Sequence, residues 1–247
     1  NQRTKQLGIT PSLFICIFSC FMVSLLCVEK LPFRVKAKGR REKMPARIGK
    51  AVRKNPEVDI EVEIRLDEPG KSEISISAEK EEPGLGFSVL ALFTHLFEQI
   101  YRHGKIGGYI RAHGDFPHHL LEELGFCWGQ ALSEALGDKG GIERFWSLTV
   151  PLDGSESSVS IDLSGRSWVA LDLQDISDPE LAGLIKHMFE WIAANGKFNL
   201  CGKAERVTLQ SNHHQLEALA KAFGRSLYWA SRITDPSMQI PSTKGTL

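Results

Sequence analysis

A short histidine-rich motif occurs twice and constrains the fold more than any other feature of the chain. The motif spans His118–Glu122, with the sequence HHLLE, and recurs at His213–Glu217 as HHQLE. Placing His95 on His187 also aligns HLFEQI with HMFEWI, so a single histidine precedes the paired histidines in both halves. We interpret the chain as a tandem duplication in which each half carries one single histidine and one HHxxE motif.

The residue types in this repeat predict metal binding. In each motif the glutamate follows the histidines by three and four residues, so all three side chains can reach one face of a helix. Adjacent histidines lie about 100° apart around a helix axis, so each motif should serve two metal ions. An isolated His-His pair could simply be a polar cap, but two matched copies favour a metal site. Imidazoles with one carboxylate suit manganese, iron or zinc. The predicted ligands form two sets of three imidazoles and one carboxylate: His95, His118, His119, Glu122, His187, His213, His214 and Glu217.

Hydrophobic periodicity predicts an α+β fold with two similar halves, each a small β-sheet covered by two helices. In the first half, residues 58–66 alternate apolar with charged side chains, which is typical of a half-buried strand. A turn at 68–70 predicts a return strand over Glu73–Ser77, and a loop follows over Glu79–Gly84. Helices are predicted from Phe87 to about Gly104 and over Pro117–Leu136, with a short strand over Ile106–Ala112 between them.

The second half has the same predicted order. Strands are expected at 147–152, 158–163, 168–173 and 198–207, and helices at 178–196 and 212–231. Asp178-Pro179 combines an N-cap with a first-turn proline. We therefore divide the chain into a first repeat at 44–146, a second at 147–235 and an irregular tail at 236–247.

Composition excludes some classes of partner. Lysine plus arginine and aspartate plus glutamate both number 30, which gives no global charge for nucleic acid. The five cysteines form no CxxC pair, and their odd number argues against a disulfide framework. We expect a reducing compartment, the cytoplasm, or the plastid if the source is a plant or an alga.

Residues 1–43 differ from the rest and carry an apolar run over Leu13–Val28. This run is shorter than the roughly 20 residues that a spanning helix needs. Three interpretations stay open: a targeting segment, a membrane anchor, or upstream sequence that is not part of the working protein. We favour the last, because a domain that starts at Met44 would be complete. A membrane partner is expected only if the apolar run belongs to the working protein.

Four groups of residues, taken in order, resemble the imidazoleglycerol-phosphate dehydratase family. They are the two HHxxE motifs, the segments Gly129–Leu132 and Ala135–Asp138, the segment Asp162–Arg166 and the ending Pro241–Gly245. The resemblance extends from about Arg53 to Leu247. It implies a ribosomal protein S5 domain 2-like duplication and a large homo-oligomer of about 24 subunits with active sites completed by neighbours. It also implies a hydro-lyase of histidine biosynthesis that removes water from a phosphorylated imidazole substrate.

The resemblance also implies roles for single residues. The eight ligands from the repeat would bind two Mn²⁺ ions per subunit. Glu57 would act at the reacting carbons and Lys221 would contact the substrate, both as catalytic residues. Substrate or phosphate contacts are implied for Gln99, Arg144, Arg166, Ser242 and Lys244. Without the resemblance, either arginine alone would be interpreted as a solvated surface charge.

Some positions depart from the family pattern. Thr94 stands where the family has an aspartate before the first metal histidine, and an insertion is apparent around 88–92. The segment before His118 lacks an acidic pair, Cys201 replaces a histidine, and Ser211 replaces an asparagine. Two alternatives therefore stay open: a catalytically weakened or silent metal-binding relative, and a different hydro-lyase or hydrolase on a similar frame. Glu98 and Glu123 are candidates to orient the metal histidines.

Overall fold

The computed structural model describes residues 46–70, 72–81, 88–208 and 211–247. The predicted N-terminal extension at 1–43, with its apolar run, lies outside the described residues, as does part of the predicted loop over Glu79–Gly84. The described residues all belong to one compact unit, Pro45–Leu247. Within this described part, no helix combines the length and the apolarity that crossing a membrane requires.

The two halves repeat one order of elements and one sheet topology. The first half contains β1 (Ile48–Lys54), β2 (Val58–Arg65), β3 (Ser72–Ala78), α1 (Ser88–Gly104), β4 (Gly107–Gly114) and α2 (Pro117–Leu136). The second half contains β5 (Phe145–Leu152), β6 (Ser155–Asp162), β7 (Trp168–Asp172), α3 (Pro179–Gly196), β8 (Asn199–Arg206) and α4 (Asn212–Ala230). The strand orders are β1-β2-β4-β3 and β5-β6-β8-β7. This duplication confirms the predicted α+β fold.

The alternating pattern of β2 explains its place inside the first sheet. The side chains of Ile60, Val62 and Ile64 are fully buried, and β2 pairs antiparallel with both β1 and β4. Glu63 points to the opposite face but is only 2% exposed. Lys50 Nζ lies 2.7 Å from its Oε2, so this carboxylate is paired where it would otherwise be costly to bury.

The expected return of Glu73–Ser77 against β2 is wrong, because β3 pairs parallel with β4 instead. The helix α1 connects β3 to β4, and parallel neighbours need a crossover of this kind. In the second half, α3 connects β7 to β8 in the same way. The sequence analysis also missed β1, whose residues Ile48–Lys54 fall within a basic stretch that gave no clear strand pattern.

The helix starts follow local sequence signals. The helix α2 covers the predicted range, with Pro117 in its first turn. Asp178 caps α3, because its Oδ1 accepts hydrogen bonds from the backbone N–H groups of Glu180 (3.1 Å) and Leu181 (3.0 Å). The predicted cap at Asp178-Pro179 is therefore confirmed.

Helices of one half pack against helices of the other. A Cβ added at Gly129 in α2 would lie 2.5 Å from the carbonyl oxygen of Ile192 in α3. A Cβ added at Gly224 in α4 would lie 2.7 Å from the carbonyl oxygen of Ile100 in α1. Any side chain at either glycine would push its helix pair apart. These close approaches bring histidine-bearing segments from the two halves together.

Candidate metal centre

The first cluster of predicted ligands lies where α1 meets α4, and we call it the Glu217 cluster: His95, His213 and Glu217. Glu217 Oε2 lies 3.3 Å from the Nε2 atom of each histidine. The two imidazole rings are stacked, with centroids 5.1 Å apart. One donor atom from each residue lies within 4.8 Å of the others, a spacing that a single metal ion could bridge. The single histidine of one half thus joins the HHxxE motif of the other.

The donor set of the Glu217 cluster fits a divalent cation. His95 Nε2 is buried and has no hydrogen-bond partner of good geometry, although it faces the carboxylate. Buried polar atoms are normally satisfied, and an ion bound between these residues would satisfy this one. Burial disfavours ionisation of Glu217, but Lys221, with Nζ 2.7 Å from Oε1, and His95 outweigh it and lower the pKa of Glu217. An ionised carboxylate beside imidazoles is a suitable ligand set for a first-row metal.

The second cluster lies where α2 meets α3, and we call it the Glu122 cluster: His118, Glu122 and His187. Glu122 Oε2 lies 3.8 Å from His118 Nε2 and 3.6 Å from His187 Nε2. The imidazole rings are again nearly parallel, at 15°, with centroids 6.3 Å apart. This cluster is the repeat counterpart of the first, with slightly longer distances. Both clusters join a single histidine of one half to the HHxxE motif of the other half.

A tryptophan distinguishes the Glu122 cluster from its counterpart. The indole Nε1–H of Trp191 donates to His187 Nε2 at 3.0 Å. At the matching place in the first half, the Nε2 atom of Gln99 lies 3.5 Å from His95 Nδ1, the other ring nitrogen. The sequence analysis missed Trp191 as a functional residue. In the sequence, Trp191 could have been selected from the overlay of the two halves, which aligns it with Gln99.

The remaining two predicted ligands, His119 and His214, contact other residues near the clusters. His119 Nδ1 lies 3.1 Å from Asp115 Oδ1. His214 lies edge-on to the ring of His213, with centroids 5.7 Å apart. The described distances group two imidazoles with each carboxylate, and the sets of three imidazoles and one carboxylate stay a prediction.

Asp115 is a further site residue that the sequence analysis did not select. Its pKa is lowered although burial acts to raise it, because the Phe116 backbone N–H and His119 both stabilise the carboxylate. The Phe116 N–H donates to Asp115 Oδ1 at 2.6 Å. Through its contact at Nδ1, Asp115 restrains the orientation of the His119 ring. Its place four residues before His119, just ahead of a helix, was the signal available in the sequence.

The residues expected to orient the other metal histidines are only partly in place. Glu98 Oε2 lies 3.9 Å from His95 Nδ1, and its repeat counterpart Glu190 lies 3.6 Å from His187 Nδ1. Glu123 instead pairs with Arg53, whose Nε lies 2.5 Å from its Oε2. The predicted role therefore suits Glu98 and not Glu123.

The positions that depart from the family pattern have local partners or are exposed. Thr94 Oγ1 donates to the backbone carbonyl of Leu90 at 2.8 Å, so it bonds to its own helix. Ser211 precedes α4 without a capping hydrogen bond from its side chain, and Cys201 is exposed on β8. None of these residues belongs to either cluster.

Glu57 lies in the turn between β1 and β2, close to the start of α2. The Asn55 side chain holds this turn by accepting hydrogen bonds from the backbone N–H groups of Glu57 (2.8 Å) and Val58 (2.9 Å). The Glu57 carbonyl accepts from the Asp115 backbone N–H at 2.9 Å. The exposed Glu57 side chain is thus anchored next to the segment that carries the first HHxxE motif.

The predicted phosphate residues belong to the second half and the tail. Arg144 has a positive φ of 80°, and its guanidinium lies on Asp162, with Nε donating to Oδ1 at 2.8 Å. Its NH1 donates to the Pro241 carbonyl at 2.8 Å, which fixes the middle of the tail. Further along, the Lys244 backbone N–H donates to Ser242 Oγ at 3.2 Å. Arg144 therefore links β6 to the tail segment that carries the other candidates.

The C-terminal end of the tail returns to the second sheet. A Cβ added at Gly165 would lie 2.2 Å from the carbonyl carbon of Leu247, so the last residue packs on this glycine. Arg166 follows directly and is exposed. Arg144 and Gly165 thus hold the tail at Pro241 and at Leu247, and Arg166 follows the second of these contacts in sequence.

Fold and site define a class: a duplicated α+β protein with a histidine–carboxylate cluster at each contact between its halves. A family model described as imidazoleglycerol-phosphate dehydratase matches residues 89–227. The chain belongs to this family.

Curated relatives and solved structures agree with this assignment. The imidazoleglycerol-phosphate dehydratase of Methanosarcina mazei is 36% identical over 208 residues, which cover 81% of this chain and 100% of the relative. That of Deinococcus deserti is 37% identical, covering 82% and 100%. The structure from Pyrococcus furiosus, in complex with (S)-C348, is 26% identical with a TM-score of 0.63, covering 79% of this chain and 99% of that one. The Staphylococcus aureus structure, 24% identical with a TM-score of 0.59 over 76% and 99%, supports the fold alone.

Proposed function

We propose that this chain is a metal-dependent dehydratase of L-histidine biosynthesis. It removes water from D-erythro-1-(imidazol-4-yl)glycerol 3-phosphate and gives 3-(imidazol-4-yl)-2-oxopropyl phosphate. The observation that carries this proposal is the Glu217 cluster, where a buried His95 nitrogen without a hydrogen-bond partner faces an ionised carboxylate. Its family membership and the second cluster support the same reaction.

The cofactor we assign is Mn²⁺, with two ions per subunit. His95, His213 and Glu217 would hold one ion, and His118, Glu122 and His187 the other. When bound, the metal supplies a Lewis acid that attracts the substrate imidazole and stabilises negative charge. Three ligands from each cluster leave room on a six-coordinate ion for substrate and for further protein ligands.

His119 and His214 are the further ligands that we propose. Asp115 supports this for His119, because a carboxylate at Nδ1 is the usual partner of a metal-binding imidazole. Because members of this family have active sites completed by neighbouring subunits, we place both histidines in clusters shared between copies. The proposed assembly is a homo-oligomer of about 24 subunits with closed symmetry.

The reaction needs a group that moves a proton at a carbon atom of the substrate, and we assign this role to Glu57. The turn that Asn55 and Asp115 fix holds Glu57 near the first HHxxE motif. A positioned carboxylate can serve as a general acid and base. We assign Lys221 and Gln99 to the substrate near the Glu217 cluster. Lys221 also keeps Glu217 ionised and therefore ready to bind a cation.

Arg144, Arg166, Ser242 and Lys244 are the proposed phosphate residues. Guanidinium groups and an ammonium suit a phosphate dianion. Part of the Arg144 guanidinium is committed to Asp162 and to the Pro241 carbonyl, so this arginine also positions the tail. We expect Ser242 and Lys244 of the tail to bind the phosphate together with Arg144 and Arg166.

We also propose the wider setting of this activity. The working unit comprises the repeats at 44–146 and 147–235 and the tail at 236–247, and residues 1–43 are an extension outside it. The protein works in the cytoplasm, or in the plastid of a plant or alga. Nucleic acid is not a partner, because the charges balance. We propose membrane association only if the apolar run Leu13–Val28 inserts into a lipid bilayer.

The test is turnover of the imidazoleglycerol phosphate substrate by chain stripped of metal with a chelator and resupplied with Mn²⁺, with bound metal counted per chain. We expect activity to return as about two ions bind per chain. Two bound ions without product would identify the catalytically silent relative and refute the proposed reaction. Failure to bind Mn²⁺ would refute the metal site itself.

A further inference from the structure

The two clusters direct the same kinds of atom toward a metal ion, but one of these atoms in the Glu122 cluster has a second partner. In the Glu122 cluster, His187 Nε2 faces Glu122 Oε2 at 3.6 Å and also accepts the Trp191 indole N–H at 3.0 Å. An imidazole nitrogen has one lone pair, so it cannot accept this hydrogen bond and bind a metal ion at once. The indole N–H therefore occupies the position from which a metal ion would approach His187.

The tautomer of His187 is consistent with this arrangement. Because Nε2 is an acceptor, the ring proton lies on Nδ1, which faces Glu190 Oε2 at 3.6 Å. This is the same tautomer that binding of a metal at Nε2 requires. His187 is thus already prepared for the metal, and Trp191 is the group that has to leave.

Packing holds Trp191 in this position. Its ring makes an edge contact with Phe126, at a centroid distance of 6.2 Å, and another with His187, at 6.1 Å. A Cβ added at Gly125 would lie 3.1 Å from Trp191 Cβ, so the glycine leaves space for the indole to reach the cluster. Phe126 is itself covered by the Arg53 guanidinium, 4.8 Å from the ring centroid.

The Glu217 cluster has no such obstacle. The side chain of Gln99, the repeat counterpart of Trp191, lies 3.5 Å from His95 Nδ1 and leaves Nε2 facing Glu217. His95 Nε2 has no hydrogen-bond partner to displace. The Gln99 amide N–H can only donate to Nδ1, so the ring proton of His95 lies on Nε2 and has to move before a metal ion binds. No side chain has to leave this nitrogen, whereas the indole of Trp191 has to leave His187.

We propose that Trp191 is a positioning residue that closes the Glu122 cluster until its indole moves away, so that the chain takes up its two metal ions in a fixed order. The Glu217 cluster fills first, and the Glu122 cluster fills second and more weakly. This inference rests on the proposed two-metal function. Losing one hydrogen bond lowers the affinity of the second ion by about threefold to tenfold relative to a cluster without the indole.

The experiment titrates metal-stripped full-length chain with Mn²⁺. Free Mn²⁺ is followed by electron paramagnetic resonance, and indole emission is recorded in the same samples. The wild type is compared with Trp191→Phe and with Trp191→Gln, which copies the residue of the first half. Trp168→Phe is the matched control, because Trp168 is 70% exposed on β7 and belongs to neither cluster.

We expect the wild type to bind two ions in separate steps and its indole emission to change mainly during the second. Both Trp191 variants should tighten the second step by about threefold to tenfold and leave the first unchanged. Trp168→Phe should keep both wild-type constants and the emission change of the second step. If a Trp191 variant does not fold, the wild-type titration alone tests the role of Trp191. An emission change during binding of the second ion supports that role, and a change confined to the first ion overturns it.

The possible failures are distinguishable. Unchanged affinities in both Trp191 variants, or a wild-type emission change confined to the first ion, would overturn the role of Trp191 while the two-metal site stands. Absence of Mn²⁺ binding in the wild type would instead overturn the proposed function on which this inference rests.

Discussion

The two clusters carry the same ligands in the same arrangement, but their surroundings differ. Four residues after its glutamate, the Glu217 cluster has Lys221, whereas the Glu122 cluster has Phe126. Four residues after its single histidine, one has Gln99 and the other has Trp191. Duplication therefore preserved the ligands, while polar groups remained beside one cluster and aromatic rings surround the other. The ligand set determines which ion can bind, and the neighbouring residues determine how readily it binds.

The largest effect is expected from removing a carboxylate. Glu217→Gln takes the shared ligand from His95 and His213, and it also leaves Lys221 without its partner. We expect turnover to fall by more than about a hundredfold, because even partners of ligands contribute 10–100-fold. The measurement is steady-state turnover with saturating Mn²⁺, together with the metal content of the purified chain.

Glu122→Gln is the matched variant for this comparison. It should also lose one ion, but no lysine among residues 46–70, 72–81, 88–208 and 211–247 is paired with Glu122, so the two variants should differ in stability more than in metal count. Equal turnover of Glu217→Gln and the wild type would refute the proposal that the clusters hold the metal ions needed for the reaction.

The next effect concerns Asp115, which supports the first HHxxE motif. Asp115→Asn weakens the contact to His119 Nδ1 and with it the orientation of the ring. We expect Mn²⁺ affinity to fall by about tenfold, the lower end of the range for partners of metal ligands. The affinity is measured by competition with a calibrated chelator. An unchanged affinity would mean that His119 does not bind metal through the orientation that Asp115 sets.

A smaller effect is expected from Lys221→Met in metal-free protein. The lowered pKa of Glu217 means that the Lys221 contact stabilises the fold above the carboxylate's unfolded pKa and is lost as the pH falls through its folded pKa. We expect a loss of about 1 kcal/mol in the free energy of unfolding at neutral pH. The difference from wild type should shrink as the pH falls through the lowered pKa of Glu217.

Urea denaturation of both proteins at a series of pH values measures this dependence. If the difference in unfolding free energy between wild type and Lys221→Met stays constant down to acidic pH, Lys221 does not stabilise the fold through the ionised form of Glu217. Lys186→Met is a suitable control, because Lys186 lies 3.9 Å from Glu190 and is 53% exposed.

The smallest effect is expected where this chain departs from its family. Thr94→Asp restores the family residue next to His95 and removes the Thr94 hydrogen bond to its own helix. Glu98 and Gln99 already lie near His95 Nδ1, so we expect the affinity of the first ion to rise by only about threefold. Calorimetric titration with Mn²⁺ tests this. A rise above a hundredfold would show that Thr94 is what limits metal binding in this chain.

The sequence predicted more of the fold than of the contacts at the site. Repeat spacing was sufficient to select His95 as a candidate ligand, but its pairing with the second HHxxE motif became visible only in the structure. The partner of β3 was mispredicted, because a turn after a strand does not reveal whether the next strand forms a hairpin or leads into a crossover helix. The strand β1 was missed because its alternation is weak.

The environment of the ligands was the harder part to predict. The overlay aligns Gln99 with Trp191, but only the packing of Phe126 and Gly125 directs the indole onto His187. Likewise, Asp115 looks like an ordinary loop residue until its side chain is found at His119. Side-chain directions depend on several elements at once, so spacing along one helix does not determine them.

The most direct measurement is anomalous diffraction at the manganese edge from crystals of metal-stripped chain, soaked first with about one equivalent of Mn²⁺ and then with excess. The account predicts a first peak beside His95, His213 and Glu217, followed by a second peak beside His118, Glu122 and His187 with the Trp191 indole displaced. A first peak at the Glu122 cluster would contradict the proposed order, and no peak at either cluster would contradict the metal centre.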